Sequence, residues 1–295
     1  MINTICIIGF GSIGQKHYLT LKKIFNKNKI YIYSRRKIKE NNLINTKNKL
    51  RLINPDYFII SNETALHLTT LKFINKNFKN KIILCEKPIY NKLFDLKILN
   101  NNKIYVGYNL RFDPIIIFLK KYLKKKKILT VNIFCHSYLP NWRKRKYTFT
   151  SSASKKSGGV LYDLSHEIDY ANLLFGPIKA VNNIYKKISS LKINSKDYFF
   201  GNFINNKDIP INISLSYFSF IERRKIEIFS NKFYLNADLV NRRILIQNQY
   251  KNKIIKFENI DTYKEMHLEI LNNKVKKICK FGNGLEIINI IKDIK

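Results

Sequence analysis

The chain has 295 residues, long for one hydrophobic core and comfortable for two domains. Its hydrophobic fraction of 45% is that of a globular protein, and no apolar run approaches the length that spans a bilayer. The formal charge of +35 invites a nucleic-acid reading, but the lysines behind it are spread along the whole chain among Asn and Ile. No single element gathers them, so no specific nucleic-acid partner is expected.

The first apolar stretch lacks a basic flank and runs straight into glycines, which argues against a signal peptide. Cys6, Cys85, Cys135 and Cys279 form no C-x-x-C pair. Reduced structural thiols in a cytoplasmic protein, with no metal site, are the expectation.

In chain order, the apolar run Thr4 to Ile8 leads into Gly9-Phe10-Gly11-Ser12-Ile13-Gly14 and then into a helical pattern. That is the dinucleotide-binding fingerprint in its strand-turn-helix setting. Gly9 permits the tight turn, Gly11 lets backbone approach a pyrophosphate, and Gly14 lets helix pack on strand. The backbone of Ser12 and Ile13 opens a helix whose positive dipole end suits that anion. Lys29 to Tyr33 reads as a second strand, ending in Ser34-Arg35-Arg36. An NAD-binding chain places an acid there to meet the ribose hydroxyls. Ser34 with Arg35 or Arg36 instead suits a 2′-phosphate, so NADP is favoured over NAD.

Further strands are predicted at 56–61, 81–85 and 103–108, with a helix over 65–77. Strands alternating with helices at this spacing predict a doubly wound parallel sheet, with ligands beyond the strands' carboxyl ends. Asn62, Lys87, Asn109 and Arg111 fall at such ends. From Asp113 the texture changes. A helix over 115–122 and a strand over 129–138 lead to Pro140-Asn141-Trp142-Arg143, and Trp142 is read as a wall of the substrate or cofactor site. Residues 144–157 are polar and basic, the candidate mobile loop or lid. Gly158-Gly159 opens a helix predicted to run unbroken over 160–175. Segments at 180–188, 198–204, 210–220, 225–229, 233–238, 243–247 and 254–257 predict a mostly antiparallel sheet. Helices over 262–280 and 286–294 complete the chain.

The expected architecture is therefore α/β. A Rossmann domain over 1–112 has a doubly wound parallel sheet. A substrate and oligomerisation domain of α+β type over 113–280 has a mostly antiparallel open sheet, and 281–295 returns as a helix to the Rossmann domain. An open sheet face makes a homo-oligomer plausible.

Several stretches together resemble the Gfo/Idh/MocA oxidoreductase family, named for glucose–fructose oxidoreductase and inositol dehydrogenase. Gly9 to Gly14 resembles its fingerprint, Glu86-Lys87-Pro88 its E-K-P motif, and Gly107-Tyr108-Asn109-Leu110-Arg111-Phe112 the end of its last Rossmann strand. Gly158-Gly159-Val160-Leu161-Tyr162-Asp163-Leu164-Ser165-His166-Glu167-Ile168-Asp169 resembles its G-G-…-D-…-H-x-x-D helix, and Gly284-Leu285-Glu286 the start of its final helix. The match runs nearly the whole chain in order.

The resemblance implies an NAD(P)-dependent oxidoreductase acting on a secondary alcohol of a sugar or nucleotide sugar, in the manner of surface-polysaccharide relatives. Lys87 would bond the reacting oxygen, with Glu86 favouring its charge by the cofactor. His166 would be the general acid/base, with Asp163 orienting it, and Asn62 would contact the nicotinamide ribose. Asn109, Arg111, Trp142, Arg143 and Tyr162 would meet the substrate, the arginines suiting an anionic one. The chemistry wants the same set, because hydride transfer to or from a carbinol moves a hydroxyl proton and develops charge on oxygen. Two features depart from the family. Asp163 and His166 stand three apart where many members space them four apart, and Asn62-Glu63 replaces a frequent T-P. A redox-cycling NAD-dependent glycosidase or lyase, and a non-catalytic dinucleotide sensor, are the competing readings.

Overall fold

In the computed structural model, which describes residues 2–294 apart from 37, 41, 92, 93, 95, 143, 145, 156 and 157, the chain begins with an isoleucine-rich strand, β1 (Ile5–Ile8), buried at every position. Helix α1 (Ser12–Leu21) follows, then β2 (Ile30–Tyr33), β3 (Leu43–Ile44), α2 (Lys47–Ile53), β4 (Tyr57–Ile60), α3 (Thr64–Asn77), β5 (Ile82–Cys85) and β6 (Lys103–Val106). These strands pair in parallel in the order β3-β2-β1-β4-β5-β6, the doubly wound arrangement with its reversal at β1 and β4. Both faces are covered, so β1, β4 and β5 are almost wholly apolar rather than alternating. The short β3 and α2 have no counterpart in the sequence reading. Their Lys- and Asn-rich stretch carries too few apolar positions to reveal a period.

Asp113 caps helix α4 (Pro114–Tyr122) by accepting from Ile115 N–H, and Pro114 suits the first turn. Strand β7 (Thr130–Tyr138) follows. Helix α5 (Val160–Asp163) and helix α6 (His166–Phe175) are separate segments. Then come β8 (Ile178–Lys186), β9 (Tyr198–Asn205), β10 (Pro210–Ser216), β11 (Phe218–Phe229), β12 (Tyr234–Asp238), β13 (Arg243–Gln247) and β14 (Asn252–Lys256). They form one sheet, β14-β13-β12-β11-β7-β10-β9-β8, antiparallel except for the β7–β10 pair. Alternation puts Val131, Ile133, Cys135, Ile211, Ile213, Leu215, Ile226 and Ile228 on the buried face. On the opposite face an amide ladder crosses three strands, with Asn202 donating to Asn212 at 2.7 Å and Asn212 to Asn132 at 2.8 Å.

The segment predicted as a mobile lid is exposed or half-buried at most of its described positions, and is anchored at Ser152 and Ala153. Its two short 3-10 turns, Tyr147–Phe149 and Ser151–Ala153, bury Ser152 and Ala153, and the Ser195 hydroxyl donates to Ser152 O at 2.6 Å. The predicted strand 210–220 is also divided. It ends at Ser216, and Phe218 onward joins 225–229 as the single strand β11.

The chain then re-enters the first unit. Helix α7 (Thr262–Leu271) is capped by Asp261, strand β15 (Cys279–Lys280) adds antiparallel to β6, and helix α8 (Phe281–Asp293) follows. The compact unit around the parallel sheet is Met1–Phe112 with Asp261–Ile288, and the other is Asp113–Ile260 with Asn289–Lys295. The stretch 262–280, expected from the sequence in the second domain, thus belongs with the first. Tyr263, Met266, Ile270 and Ile278 share one core with Ile5, Ile7, Ile30, Ile59 and Leu84. The single helix predicted there stops early because Asn273 turns left-handed (φ 52°) and Glu269 Oε1 accepts three backbone N–H groups, from Lys276, Lys277 and Ile278. Among the described residues no helix is long and apolar enough to cross a membrane.

Candidate functional site

Ile8, Ile60, Cys85 and Val106 are aligned across β1, β4, β5 and β6. The four exits that follow, at Gly9, Ser61, Glu86 and Gly107, therefore lie along one carboxyl edge of the sheet. In open parallel sheets that edge is where ligands bind. It carries Asn62, Lys87 and Asn109, as their strand-end positions predict.

The glycine turn divides its labour. Gly9 sits at φ +90°, where a Cβ would also lie 2.6 Å from Asn62 backbone, and a Cβ on Gly14 would lie 2.2 Å from Gly9 O. These two glycines let the loop and helix close on each other. A Cβ on Gly11 would meet nothing within 4 Å. Gly11 stands instead as the N-cap of α1, and its bareness leaves room for a ligand at the N–H groups that Ser12 and Ile13 begin. The site thus fits the pyrophosphate of a dinucleotide.

At the end of β2, Ser34 is buried and its hydroxyl accepts from Arg36 N–H at 3.1 Å, while Arg35 and Arg36 are exposed. A carboxylate does occur farther along. Glu40 accepts a 2.5 Å hydrogen bond from Tyr18 OH on α1.

The Lys87 turn is held from within the first unit. The Lys87–Pro88 peptide is cis, and Glu86 Oε2 accepts from Lys87 N–H at 3.2 Å. Glu86 Oε1 lies 3.0 Å from His17 Nε2, and Gly107 leaves room for it, since a Cβ there would meet that oxygen at 2.6 Å. His17 Nδ1 is 2.9 Å from His267 Nε2, and His267 Nδ1 is 3.0 Å from Tyr57 OH. Burial holds His267 well below the usual histidine pKa, with the neighbouring His17 adding to the effect. Glu86, expected to contact cofactor, is thus buried inside this hydrogen-bond chain. His67 spans two exits, with Nδ1 3.0 Å from Pro88 O and Nε2 3.1 Å from Asn62 O. Asn62 donates to Thr70 at 2.9 Å. Asn109 donates to Thr262 at 2.6 Å, which ties its amide to the start of α7, and Arg111 is buried in the same 3-10 turn.

In the second unit, Asp163 and His166 do not share one helix face. Leu164 leaves the helical region at ψ 30°, so Asp163 ends α5 and His166 begins α6. Asp163 and Ser165 flank the break, and short polar side chains favour turns over helix interiors. Tyr217 OH donates to Asp163 Oδ2 at 2.6 Å. Trp142 Nε1 donates to Ser137 at 3.0 Å, and its ring meets Tyr217 edge-on at 5.2 Å. Tyr162 is half-buried on α5, and Arg143 lies outside the described residues. Next to His166, the fully buried Glu167 accepts from Arg224 Nε at 2.9 Å. Sequence reasoning missed this pair and the His17–His267 pair because both join residues far apart in the chain.

A family profile described as "Oxidoreductase family, C-terminal alpha/beta domain" of the Gfo/Idh/MocA group matches residues 120–226. Levoglucosan dehydrogenase from Pseudarthrobacter phenanthrenivorans is 29% identical over 144 residues, which span 44% of this chain and 36% of that relative. Among solved structures, UDP-N-acetylglucosamine 3-dehydrogenase from Acidithiobacillus ferrooxidans is similar at a TM-score of 0.80 and 15% identity, covering 99% of this chain and 96% of that one. The WlbA dehydrogenase from Bordetella pertussis, in complex with NADH and UDP-GlcNAcA, is similar at 0.79 and 14% identity, covering 100% and 95%. With the glycine turn and the Glu-Lys-Pro exit on one sheet edge, and the profile match over residues 120–226, the chain is similar to the Gfo/Idh/MocA oxidoreductases.

Proposed function

We propose that the protein is an NAD(P)-dependent oxidoreductase acting on a CH–OH group of a sugar or nucleotide sugar. The observation that carries this reading is the alignment of Gly9, Asn62, Lys87 and Asn109 along the carboxyl edge, with Gly11 bare at the start of α1. Gly9, Gly11 and Gly14, with the backbone of Ser12 and Ile13, would hold a dinucleotide, which supplies the hydride acceptor or donor when bound. Ser34, Arg35 and Arg36 support NADP over NAD, since two exposed guanidiniums suit a phosphate monoester.

Lys87 serves as the cation at the reacting oxygen, where developing alkoxide charge needs a fixed partner. His166 takes or returns the hydroxyl proton, which suits an imidazole near neutral pH. Asp163, held by Tyr217, and Trp142, leaning on the same ring, are the neighbouring residues proposed for the substrate side, together with Arg111, Arg143 and Tyr162. The WlbA and UDP-N-acetylglucosamine dehydrogenase structures support a nucleotide-sugar substrate by likeness of fold. A second copy of the chain is the proposed partner, seated on the half-exposed sheet face that carries Phe134, Phe200, Ile184 and Phe229.

Fluorescence titration with NADPH and NADH tests the cofactor reading. Wild type is expected to prefer NADPH, and Arg35→Ala/Arg36→Ala to lose about tenfold in NADPH affinity alone, the worth of about one charged hydrogen bond. Equal affinities in wild type would remove the phosphate pocket. Turnover on a panel of UDP-sugars tests the chemistry, and activity surviving in Lys87→Ala or His166→Ala would overturn the catalytic roles of those two residues.

A further inference from the structure

Lys87 is flanked by two buried residues, and each is met by a buried histidine from a different helix. His17, with 0% exposure, comes from α1 behind the glycine turn, and its Nε2 is 3.0 Å from Glu86 Oε1. His67, with 1% exposure, comes from α3, and its Nδ1 is 3.0 Å from Pro88 O. We propose that His17 and His67 are positioning residues for Lys87, His17 acting through the Glu86 carboxylate and His67 through the Pro88 carbonyl. The inference rests on the reading of Lys87 as the cation at the reacting oxygen.

With His17 neutral, the hydrogen-bond chain behind it has one direction in which every donor meets an acceptor. Tyr57 O–H donates to His267 Nδ1, His267 Nε2–H to His17 Nδ1, and His17 Nε2–H to Glu86 Oε1. Glu86 then offers Oε2 to the Lys87 N–H. Simple packing would be served better by apolar side chains, because buried polar groups cost stability unless all are satisfied. A fully matched chain ending on one carboxylate instead fixes that carboxylate's plane. Tyr57 remains a donor, since burial and the Glu86 charge push its phenol well above its usual pKa.

His67 also lies against a third exit. Its Nε2 stands 3.1 Å from Asn62 O while Nδ1 faces Pro88 O. Both partners are acceptors, and burial lowers the His67 pKa, so the ring is neutral and carries one proton. The proposed role requires that proton on Nδ1, facing Pro88 O. One imidazole from α1 and one from α3 thus meet the residues on either side of Lys87, which fixes a flexible lysine's base from both sides. Sites need such a supporting shell to hold a reacting group within about 0.5 Å.

Amide variants separate positioning from packing. A Gln nitrogen takes the place of Nε2 and an Asn nitrogen that of Nδ1, so His17→Gln and His67→Asn keep the donor, whereas His17→Asn and His67→Gln misplace it. Acetylation of Lys87 by acetic anhydride, read by peptide mass spectrometry against the exposed Lys120, reports the turn without requiring turnover. The misplaced amides are expected to speed Lys87 acetylation about fivefold, the worth of one hydrogen bond, and the matched amides to stay within about twofold of wild type. Equal rates in matched and misplaced variants, or an unmoved Lys87 rate with only a lower Tm, overturn the proposal. Long-range 15N–1H spectra of the five histidines in the unmodified protein test it without a variant. The expected protons are on Nε2 of His17 and Nδ1 of His67, and the opposite tautomer at either overturns it. Survival of sugar turnover in Lys87→Ala would overturn the catalytic reading and leave these rates unchanged, so the two failures are distinguishable.

Discussion

Tyr217 OH donates to Asp163 Oδ2 at 2.6 Å, and Trp142, the one tryptophan of the chain, rests edge-on against the same tyrosine ring. Burial and the Asp163 charge push the Tyr217 phenol well above its usual pKa, so it stays a donor. Tyr217→Phe should therefore destabilise the protein by about 1.5–3 kcal/mol, the range for a hydrogen bond to a charged group. Urea unfolding followed by Trp142 fluorescence measures this, and an unchanged midpoint would show that the bond adds nothing net.

Arg224 faces a carboxylate that has no exposure at all. The Glu167 side chain is fully buried while that of Arg224 is 27% exposed. Removing the cation strands a buried anion, so Arg224→Leu should cost about 3–5 kcal/mol. Arg224→Leu/Glu167→Leu should recover much of that loss in chemical denaturation, because no charge is then left behind.

Two glycines of one turn should fail in different ways. Gly14→Ala drives a methyl to 2.2 Å from Gly9 O, whereas Gly11→Ala meets nothing within 4 Å and sits at an ordinary φ of −76°. Gly14→Ala is expected to lose about 1–3 kcal/mol of stability by overpacking. Gly11→Ala should melt like wild type and lose NADPH and NADH binding. Calorimetry and fluorescence titration on the same samples check both, and normal binding by Gly11→Ala would contradict the pyrophosphate position.

Acid should weaken the first unit through its buried imidazoles. Burial holds His67 below, and His267 well below, the usual 6.5. Below that value the unfolded chain takes up protons that the folded chain refuses, so stability is full above about pH 6.5 and falls as pH drops. Each such histidine contributes a slope of up to about 1.4 kcal/mol per pH unit. The Tm measured from pH 8 to pH 5 should decline more gently in His267→Gln than in wild type. Parallel curves would show that His267 does not titrate on unfolding.

Much of the first unit was legible because its signals are local. An apolar run followed by spaced glycines states both the strand and the turn, and Glu86-Lys87-Pro88 marks a strand exit by composition alone. Elements with weak local signals were lost or misdrawn. β3 and α2 lie in a Lys/Asn-rich stretch without period, and the helical pattern over 160–175 conceals the break at Leu164. Trp142 reads as a wall of the site, and the bond from its indole N–H to Ser137 is not legible in the sequence.

By itself, then, the sequence determined which residues stand at the strand exits, since period, glycine spacing and turn chemistry act over a few residues. Only the tertiary structure decided what holds them there. His17 meets His267 across 250 residues, Glu86 across 69, and Asp163 meets Tyr217 across 54. Such pairs leave no periodic trace. They exist because a buried donor needs an acceptor, and the fold brings the nearest one from a distant part of the chain.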